Sequence, residues 1–502
     1  MNQSNKKGEI FSNPIIKELN EKFKPFWALK RSEALLGWDL EVNMPEKATE
    51  SRGFIMGQIA LLSQEHIARL YPTIDQASKL KDLNDYERGV LRVLEYLRKF
   101  YTRIPSSLLE EEQRVSVEAT VVWREARKKS DFRAFLPHLE KIIGIKLQEA
   151  DKLGYEKHPY DALLDLYEEG VTVEDMDAMF SRMIPALKRI LEKVSSEKKF
   201  LSNHPLEEAR YDTEALVRVN RKLTEILGLP KERSRMDIST HPFMTSISRD
   251  DVRITTRYLG YDFARSTFGT IHESGHAIYE LQLNEKFEYT PIGNSASTGF
   301  HESQSRFWEN IVGRSRAFVS LISPMLKENL SFLAPYSDED LFRYFNVLKP
   351  QMIRIEADEL TYNFHIALRY DLEKKLIAGK IVASELPSIW NDAMDEYLGI
   401  RPNDDAEGVL QDVHWGSGGF GYFPTYSLGN IIAGMIWYNM RKDVDLDQTI
   451  KSGDLAPIKT WLYERIHKFG AMYTPKALAM KTLGESFNPD RLVQYLEWKY
   501  LS

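Results

Sequence analysis

The chain has 502 residues, with 67 Lys and Arg against 74 Asp and Glu, for a net charge of −7. That balance argues against a nucleic-acid binder with a dominant basic face. With no cysteine, a disulfide framework, a thiolate metal site and a cysteine nucleophile are all excluded, and any metal must use histidine and carboxylate ligands. At about 150 residues per domain the length alone suggests roughly three domains.

The N-terminus, Met1 to Pro14, is polar and has no apolar segment of the signal-peptide kind. The longest apolar stretch, Leu428 to Tyr438, contains Gly and Asn and is too short for the roughly 20 residues that cross a bilayer. The expected location is cytoplasmic, with no membrane partner. Gly (27) and Pro (21) are fewer than the average of about 12 % combined, which favours long helices. Leu139, Ile142, Ile143, Ile145 and Leu147 recur near helical spacing between Pro137 and the stop at Leu153 to Tyr155. Val173, Met176, Met179, Phe180, Met183, Ile184, Leu187 and Ile190 predict a second helix with a polar end at Lys193 to Lys199. Pro185 predicts a kink or break inside it. Breaks near Lys157 to Pro159, Ser202 to Pro205 and Gly399 to Asp405 are too short for interdomain linkers. The stretch Met236 to Tyr258 departs from the helical pattern. Its β-branched residues and partial alternation predict a small antiparallel sheet of two or three strands.

Directly after that stretch comes His272-Glu273-Ser274-Gly275-His276, an H-E-x-x-H. Positions i and i+4 share a helix face, so His272 and His276 can hold one metal while Glu273 reaches a water on it. Thr270 is the expected N-cap. Two histidines on a helix face can also be ordinary polar surface. A catalytic site of this kind needs a third protein ligand. Tyr279 and Gln282 occupy the positions where the longer H-E-x-x-H-x-x-G-x-x-H pattern has Gly and His, so that pattern fails. Glu280, Glu285 and Glu288 are candidates by proximity. Glu302, after the Gly-rich turn GNSASTG and in the first turn of a second expected helix, is the other.

The chain resembles the carboxypeptidase Taq family, also called thermostable carboxypeptidase 1, over nearly its whole length. His241-Pro242-Phe243 matches HPF, and Asp251 to Thr255 matches DxRxT. His272 to His276 matches HExxH, and His301 to Gln304 matches HESQ. Ile353 to Asp358 matches IRxxAD, and Gly408 to Trp415 matches GxxQDxHW. Leu36 to Asp39 and His158 to Asp165 also look like family segments. The resemblance implies a mainly α fold: one large helical body with a deep cleft, usually a homodimer. It implies one zinc ion per subunit, with cobalt as the alternative, and release of one residue at a time from a peptide C-terminus. It also implies Glu302 as the third ligand. The expected organisation is a single catalytic domain over 1–502, with helices of about residues 1–100 covering the cleft and with the small antiparallel sheet beside the zinc site.

Glu273 is then the expected general base. His414 and Tyr422 are the expected oxyanion donors, since their spacing is similar to that in angiotensin-converting enzyme and its relatives. The competing reading is a core aromatic cluster of Trp415, Phe420, Tyr422, Phe423 and Tyr426. A free C-terminal carboxylate calls for arginine, with Arg354 first and Arg253 second, and His241 placed with them at the substrate. Arg354 can instead pair with Glu356 or Asp358, and Arg253 with Asp251. Asp358 is the expected carboxylate behind the metal histidines. His301 is read as substrate-facing or structural, not as a ligand. The alternative activity on a similar cleft is a zinc oligo-endopeptidase or dipeptidyl carboxypeptidase, and an accidental motif on a non-catalytic scaffold is the third reading.

Overall fold

The computed structural model describes residues 10–197, 200 and 204–502. Residues 1–9 of the polar N-terminus, 198–199 of the polar helix end and 202–203 of the Ser202 to Pro205 break lie outside the described residues.

Four helices open the chain: α1 (Pro14–Val42), α2 (Thr49–Ala68), α3 (Tyr71–Ala77) and α4 (Asp85–Arg103). Asn13 caps α1, and Asn84 with Glu87 forms a capping box on α4. Glu87 also accepts from the amides of Ser12 and Asn13 at 2.7 Å, so the cap of α4 fixes the start of α1. Ile16, Leu19, Phe23, Ile74, Val90 and Leu94 form a separate apolar core here, joined by Phe287, Ile292 and Met472 from later segments.

The main core begins with α5 (Ser106–Lys129), α6 (Phe132–Leu153), α7 (Pro159–Asp165), α8 (Val173–Glu197) and α9 (Thr213–Ile226). Asp131 caps α6, so that helix starts before Pro137 and carries it inside. Helix α8 runs unbroken past Pro185. An interior proline costs about 3 kcal/mol, but each fully buried Met, Ile or Leu contributes about 1.5–3 kcal/mol. Met183, Ile184, Leu187 and Ile190 around it are all buried, and their packing wins.

The sheet has strands β1 (Ser234–Ile238), β2 (Met244–Ser248) and β3 (Asp251–Thr256) in the order β1-β3-β2. It is mixed, which corrects the expected antiparallel pairing: β2 runs antiparallel to β3, but β1 runs parallel to it. The tight turn at Arg249 and Asp250 folds β3 back onto β2, and β3 then takes the central place next to β1. Helix α1 docks on this sheet through Arg31, which donates to the Ser246 carbonyl at 2.9 Å.

The remaining body comprises α10 (Phe263–Leu281), α11 (Thr298–Arg306), α12 (Arg316–Asn329), α13 (Asp338–Phe345), α14 (Tyr362–Ile377), α15 (Leu386–Leu398) and α16 (Pro424–Met440). It closes with α17 (Leu446–Ser452), α18 (Ala456–Arg465), α19 (Pro475–Leu483) and α20 (Pro489–Leu501). The mainly helical architecture is as the sequence predicts. Among the described residues no helix is long and apolar enough to cross a membrane.

Candidate metal centre

Helix α10 begins at Phe263 and is capped by Asp262, whose side chain accepts from the Arg265 amide. Thr270 is therefore mid-helix and not the cap. Its buried hydroxyl instead donates to Thr256 at 3.1 Å and ties α10 to β3. At the other end, Arg249 donates to the Leu283 carbonyl at 3.0 Å and Arg233 to the Leu281 carbonyl at 3.1 Å, a cationic finish suited to the helix dipole.

Gly275 brings the second helix close. A Cβ on it would lie 2.7 Å from the Gln304 oxygen and the Ser305 Cα, so only glycine lets α10 and α11 approach this far. Ser297 caps α11 through the Phe300 amide, which puts Glu302 in the second turn and not the first. Glu302 Oε2 then lies 3.4 Å from His276 Nε2 and 3.7 Å from His272 Nε2. Ligand atoms bonded at about 2.1 Å around a tetrahedral ion stand about 3.4 Å apart, so this donor set fits a small divalent metal. Among the described residues these three form the only group able to hold one. Glu280 belongs to His301, and Glu285 and Glu288 lie beyond the end of α10.

Both histidines turn Nε2 toward the shared centre and use Nδ1 for support. His272 Nδ1 meets Glu309 Oε2 at 2.9 Å. Glu309 is in turn bound by Arg314 at 2.9 Å and faces Arg306 at 3.6 Å. Against burial, the His272 bond and these guanidiniums hold Glu309 far below the usual carboxylate range. His276 Nδ1 meets His301 Nδ1 at 2.5 Å, and His301 Nε2 meets Glu280 at 3.2 Å. Burial pulls His276 down to about 3, so it is neutral. The carboxylate requires the His301 proton on Nε2. His301 Nδ1 then accepts, His276 carries its proton on Nδ1, and Nε2 keeps a free lone pair. Asp358 is not behind either ligand. It caps the Leu360 and Thr361 amides at 3.0 and 2.8 Å and accepts from Lys349 at 3.0 Å.

Glu302 itself is held well below the usual range, because Arg306 and the histidines outweigh its burial. Arg306 Nε donates to Glu302 Oε1 at 2.7 Å. Glu273, 6 % exposed, is pushed up to about 7 by burial, against the opposing pull of His272. That value suits proton transfer near neutral pH.

A second charged set adjoins the first at Tyr362. The Tyr362 ring carries Arg306 on its face at 4.6 Å, and its hydroxyl accepts from Arg354 Nη1 at 2.8 Å. Arg354 does not pair with Glu356 or Asp358. Its Nη2 and Nε lie 2.7 and 3.0 Å from Asp412 Oδ1. Asp412 also binds Arg369 Nε at 2.6 Å, so two buried guanidiniums share one carboxylate. His414 stands 3.9 Å from Asp412, and its Nε2 faces the Tyr426 hydroxyl at 3.4 Å. Burial pulls it down to about 4, so it is neutral as well. The Tyr422 ring lies tilted 5.7 Å from His414 and edge-on 5.3 Å from Tyr426, and burial pushes its hydroxyl up to about 12, reinforced by the Glu302 charge. The loop carrying both is fixed by Glu373 on α14, which accepts from Trp415 Nε1 at 2.8 Å and the Gly421 amide at 2.9 Å.

The structure thus brings His272, His276, Glu302 and Glu273 together, with Tyr422 within reach of the Glu302 charge. Arg354 and His414 lie in the adjoining set. Arg253 pairs with Asp251 through both edges at 2.7 and 2.8 Å and lies 4.2 Å over the Trp38 ring. His241 is exposed on the turn between β1 and β2. Sequence reasoning passed over Glu309, Arg306, Tyr362 and Arg369. Arg306 and Glu309 fall four and seven residues after Glu302 on one helix face, a readable signal, whereas nothing near Tyr362 marks it.

A helical body with a buried His-His-Glu donor set on an H-E-x-x-H helix defines a metallopeptidase. Residues 18–500 match the family model described as Carboxypeptidase Taq (M32) metallopeptidase, and the chain belongs to that family. It is 45 % identical to thermostable carboxypeptidase 1 of Pyrococcus furiosus over 98 % of this chain and 100 % of that one. It is 36 % identical to carboxypeptidase 1 of Bacillus subtilis, over 96 % and 97 %. The solved structure of Pyrococcus furiosus carboxypeptidase (Apo-Mg) superposes with a TM-score of 0.97 at 45 % identity, covering 98 % of this chain and 100 % of that one. Trypanosoma cruzi metallocarboxypeptidase 1 does so at 0.92 and 33 %, covering 97 % and 99 %. The chain is a metallocarboxypeptidase, a peptide hydrolase that depends on a metal cofactor.

Proposed function

We propose that this chain releases single amino acids from the C-terminus of peptides, with Glu273 as general base and one zinc ion per subunit held by His272, His276 and Glu302. Cobalt suits the same two nitrogens and one oxygen. The carrying observation is the donor triangle of 3.4 and 3.7 Å beside a buried carboxyl poised at about 7. When bound, the metal supplies Lewis acidity that brings a water toward a pKa of 7. Glu273 takes the proton of the attacking water and later gives it to the leaving amine. Tyr422 gives a hydrogen bond from its hydroxyl to the oxyanion, and neutral His414, lying near Asp412 and facing Tyr426, provides the second donor.

Arg354 anchors the substrate carboxylate. Three of its five N–H donors are engaged by Asp412 and Tyr362, which leaves two. Asp412 neutralises only one of its two arginines, so the set retains a positive charge for an anionic peptide end. Arg253 and His241 line the approach from the sheet, where a strand edge can receive the peptide backbone.

Mass spectrometry of a free and a C-terminally amidated peptide, with and without chelator, tests this. A ladder of single-residue losses from the free peptide only, abolished by chelation, is expected. Loss of dipeptides or internal cuts would favour the oligo-endopeptidase or dipeptidyl carboxypeptidase reading. Equal cleavage of the amidated peptide would remove Arg354 from its role. We further propose one catalytic domain over 1–502 in a cytoplasmic homodimer, with α1 to α4 as the cover of the cleft. Phe54 (69 % exposed), Ile55, Leu61 and Leu62 on α2 offer apolar surface for such a contact, and sedimentation of Phe54→Glu checks it.

A further inference from the structure

Helix α11 carries Glu302, and its amino end is held from outside. The Thr298 amide donates to the Tyr167 carbonyl at 3.4 Å, and the Gly299 amide donates to Glu168 Oε1. The Phe300 amide donates to Ser297 Oγ at 3.1 Å and the His301 amide to the Ser297 carbonyl at 3.0 Å. The His301 bond is the first within the helix, so the three free amides of Thr298, Gly299 and Phe300 are all used, two of them by the dipeptide Tyr167-Glu168. Glu168 is wholly buried, and its Oε2 has no hydrogen-bond partner. A buried carboxyl with one oxygen left unpartnered is expensive and calls for a reason. The room for it is specific: a Cβ on Gly299 would stand 2.8 Å from Glu168 Oε1. The clamp has its own footing, since Tyr96 donates to the Asp165 carbonyl at 2.6 Å and Lys99 meets the Asp165 carboxylate at 3.1 Å. The Tyr167 ring packs edge-on to Tyr422 at 5.1 Å, so the same dipeptide touches both sides of the site.

We infer that Tyr167 and Glu168 are positioning residues for the metal, acting by clamping the amino end of α11 so that Glu302 meets His272 and His276. This rests on the reading of those three residues as ligands. Glu302 stands one turn beyond the clamp, and a small rotation of α11 would carry its carboxylate away from the histidines.

The test is zinc affinity by chelator competition for the wild type, Glu168→Ala, Glu168→Gln and Gly299→Ala, each confirmed folded by cooperative melting. Glu168→Ala and Gly299→Ala should bind zinc about tenfold more weakly, while Glu168→Gln, which keeps an acceptor for the Gly299 amide, should stay within about threefold of the wild type. The visible spectrum of the cobalt-loaded Ala variant should differ from that of the wild type. A folded Glu168→Ala with wild-type zinc affinity and cobalt spectrum overturns the inference. Coupling is reciprocal, so zinc must also tighten the clamp. Hydrogen exchange of the wild type should show the Thr298 and Gly299 amides slowed by zinc, and equal exchange with and without zinc overturns the inference even if no variant folds. Unchanged zinc affinity in Glu302→Ala would instead sink the ligand assignment itself.

Discussion

Two charged sets meet at Tyr362, and they carry opposite residual charge. Around the histidines, Glu302 and Glu309 balance Arg306 and Arg314, and Glu273, poised at about 7, is the further carboxyl whose ionisation a cation would favour. Around Arg354, two guanidiniums share Asp412. The first set is short of a cation and the second short of an anion. On the proposed reading, the metal would complete one and a peptide carboxylate the other. They are also built differently. The metal set is local: α10, α11 and the helical segment that directly continues α11 supply it between His272 and Arg314. The arginine set draws on α14, the turn before it and the loop before α16, with partners 43 and 58 residues apart. One set is therefore assembled by neighbouring segments, and the other only by the folding of distant ones.

The largest effect expected is at Glu273. Glu273→Gln keeps the shape and removes the proton acceptor, so kcat/KM should fall about 10²–10⁴-fold with metal content unchanged. Steady-state kinetics with metal analysis check this. Full activity in a metal-loaded Glu273→Gln would end its assignment as base.

The arginine set should respond in stability. Asp412→Asn leaves two buried guanidiniums without their carboxylate and should lower the unfolding free energy by about 3–5 kcal/mol, while zinc affinity stays within about threefold. Denaturant titration and chelator competition measure the two. A large drop in zinc affinity would show that the sets are not separable.

The pH dependence separates them further. Burial pushes Glu373 up to about 7, although Tyr160, Gly421 and Trp415 all donate to it. An unfolded glutamate titrates near about 4.3. The folded state therefore favours the protonated form, and this contribution is complete below about pH 4.3 and lost as pH rises through about 7. From pH 4 to 8 the wild type should lose about 3 kcal/mol through this group. Glu373→Gln should lack that part of the slope, at some cost to stability at every pH, because an amide has one acceptor oxygen for three donors. Identical slopes for both proteins, measured by urea unfolding at several pH values, would remove Glu373 from the account.

The difference in construction also decides what the sequence could reveal. His272, Glu273 and His276 lie on consecutive turns, so helical geometry alone groups them. Glu302 needed the family resemblance, because proximity favoured Glu280 equally, and only the close approach at Gly275 shows why α11 wins. Helices α6 and α8 were legible from apolar spacing, but their boundaries and the passage of Pro185 depend on a cap and on buried packing. The parallel pairing of β1 with β3 is a matter of which strand takes the middle, and strand composition is silent on that. Arg354 was visible as a residue but not as a partner of Asp412. No local pattern joins positions 58 apart, and the nearer Glu356 and Asp358 were the natural guesses.

The two metal histidines offer the finest test. His272 has a direct carboxylate, Glu309, whereas His276 reaches Glu280 only through His301. Glu309→Gln keeps an acceptor for His272 Nδ1–H but removes the charge, which should weaken zinc binding about tenfold to a hundredfold. Glu280→Gln acts one imidazole further out. Its amide can still accept from His301, so the tautomer chain survives and the loss should be smaller, about threefold or less, because a charge one ring further away polarises the ligand less. Chelator competition on the two variants side by side decides it. A Glu280→Gln loss as large as that of Glu309→Gln would mean that the relay transmits charge as well as a direct contact does, and the asymmetry between the two ligands would have to be given up.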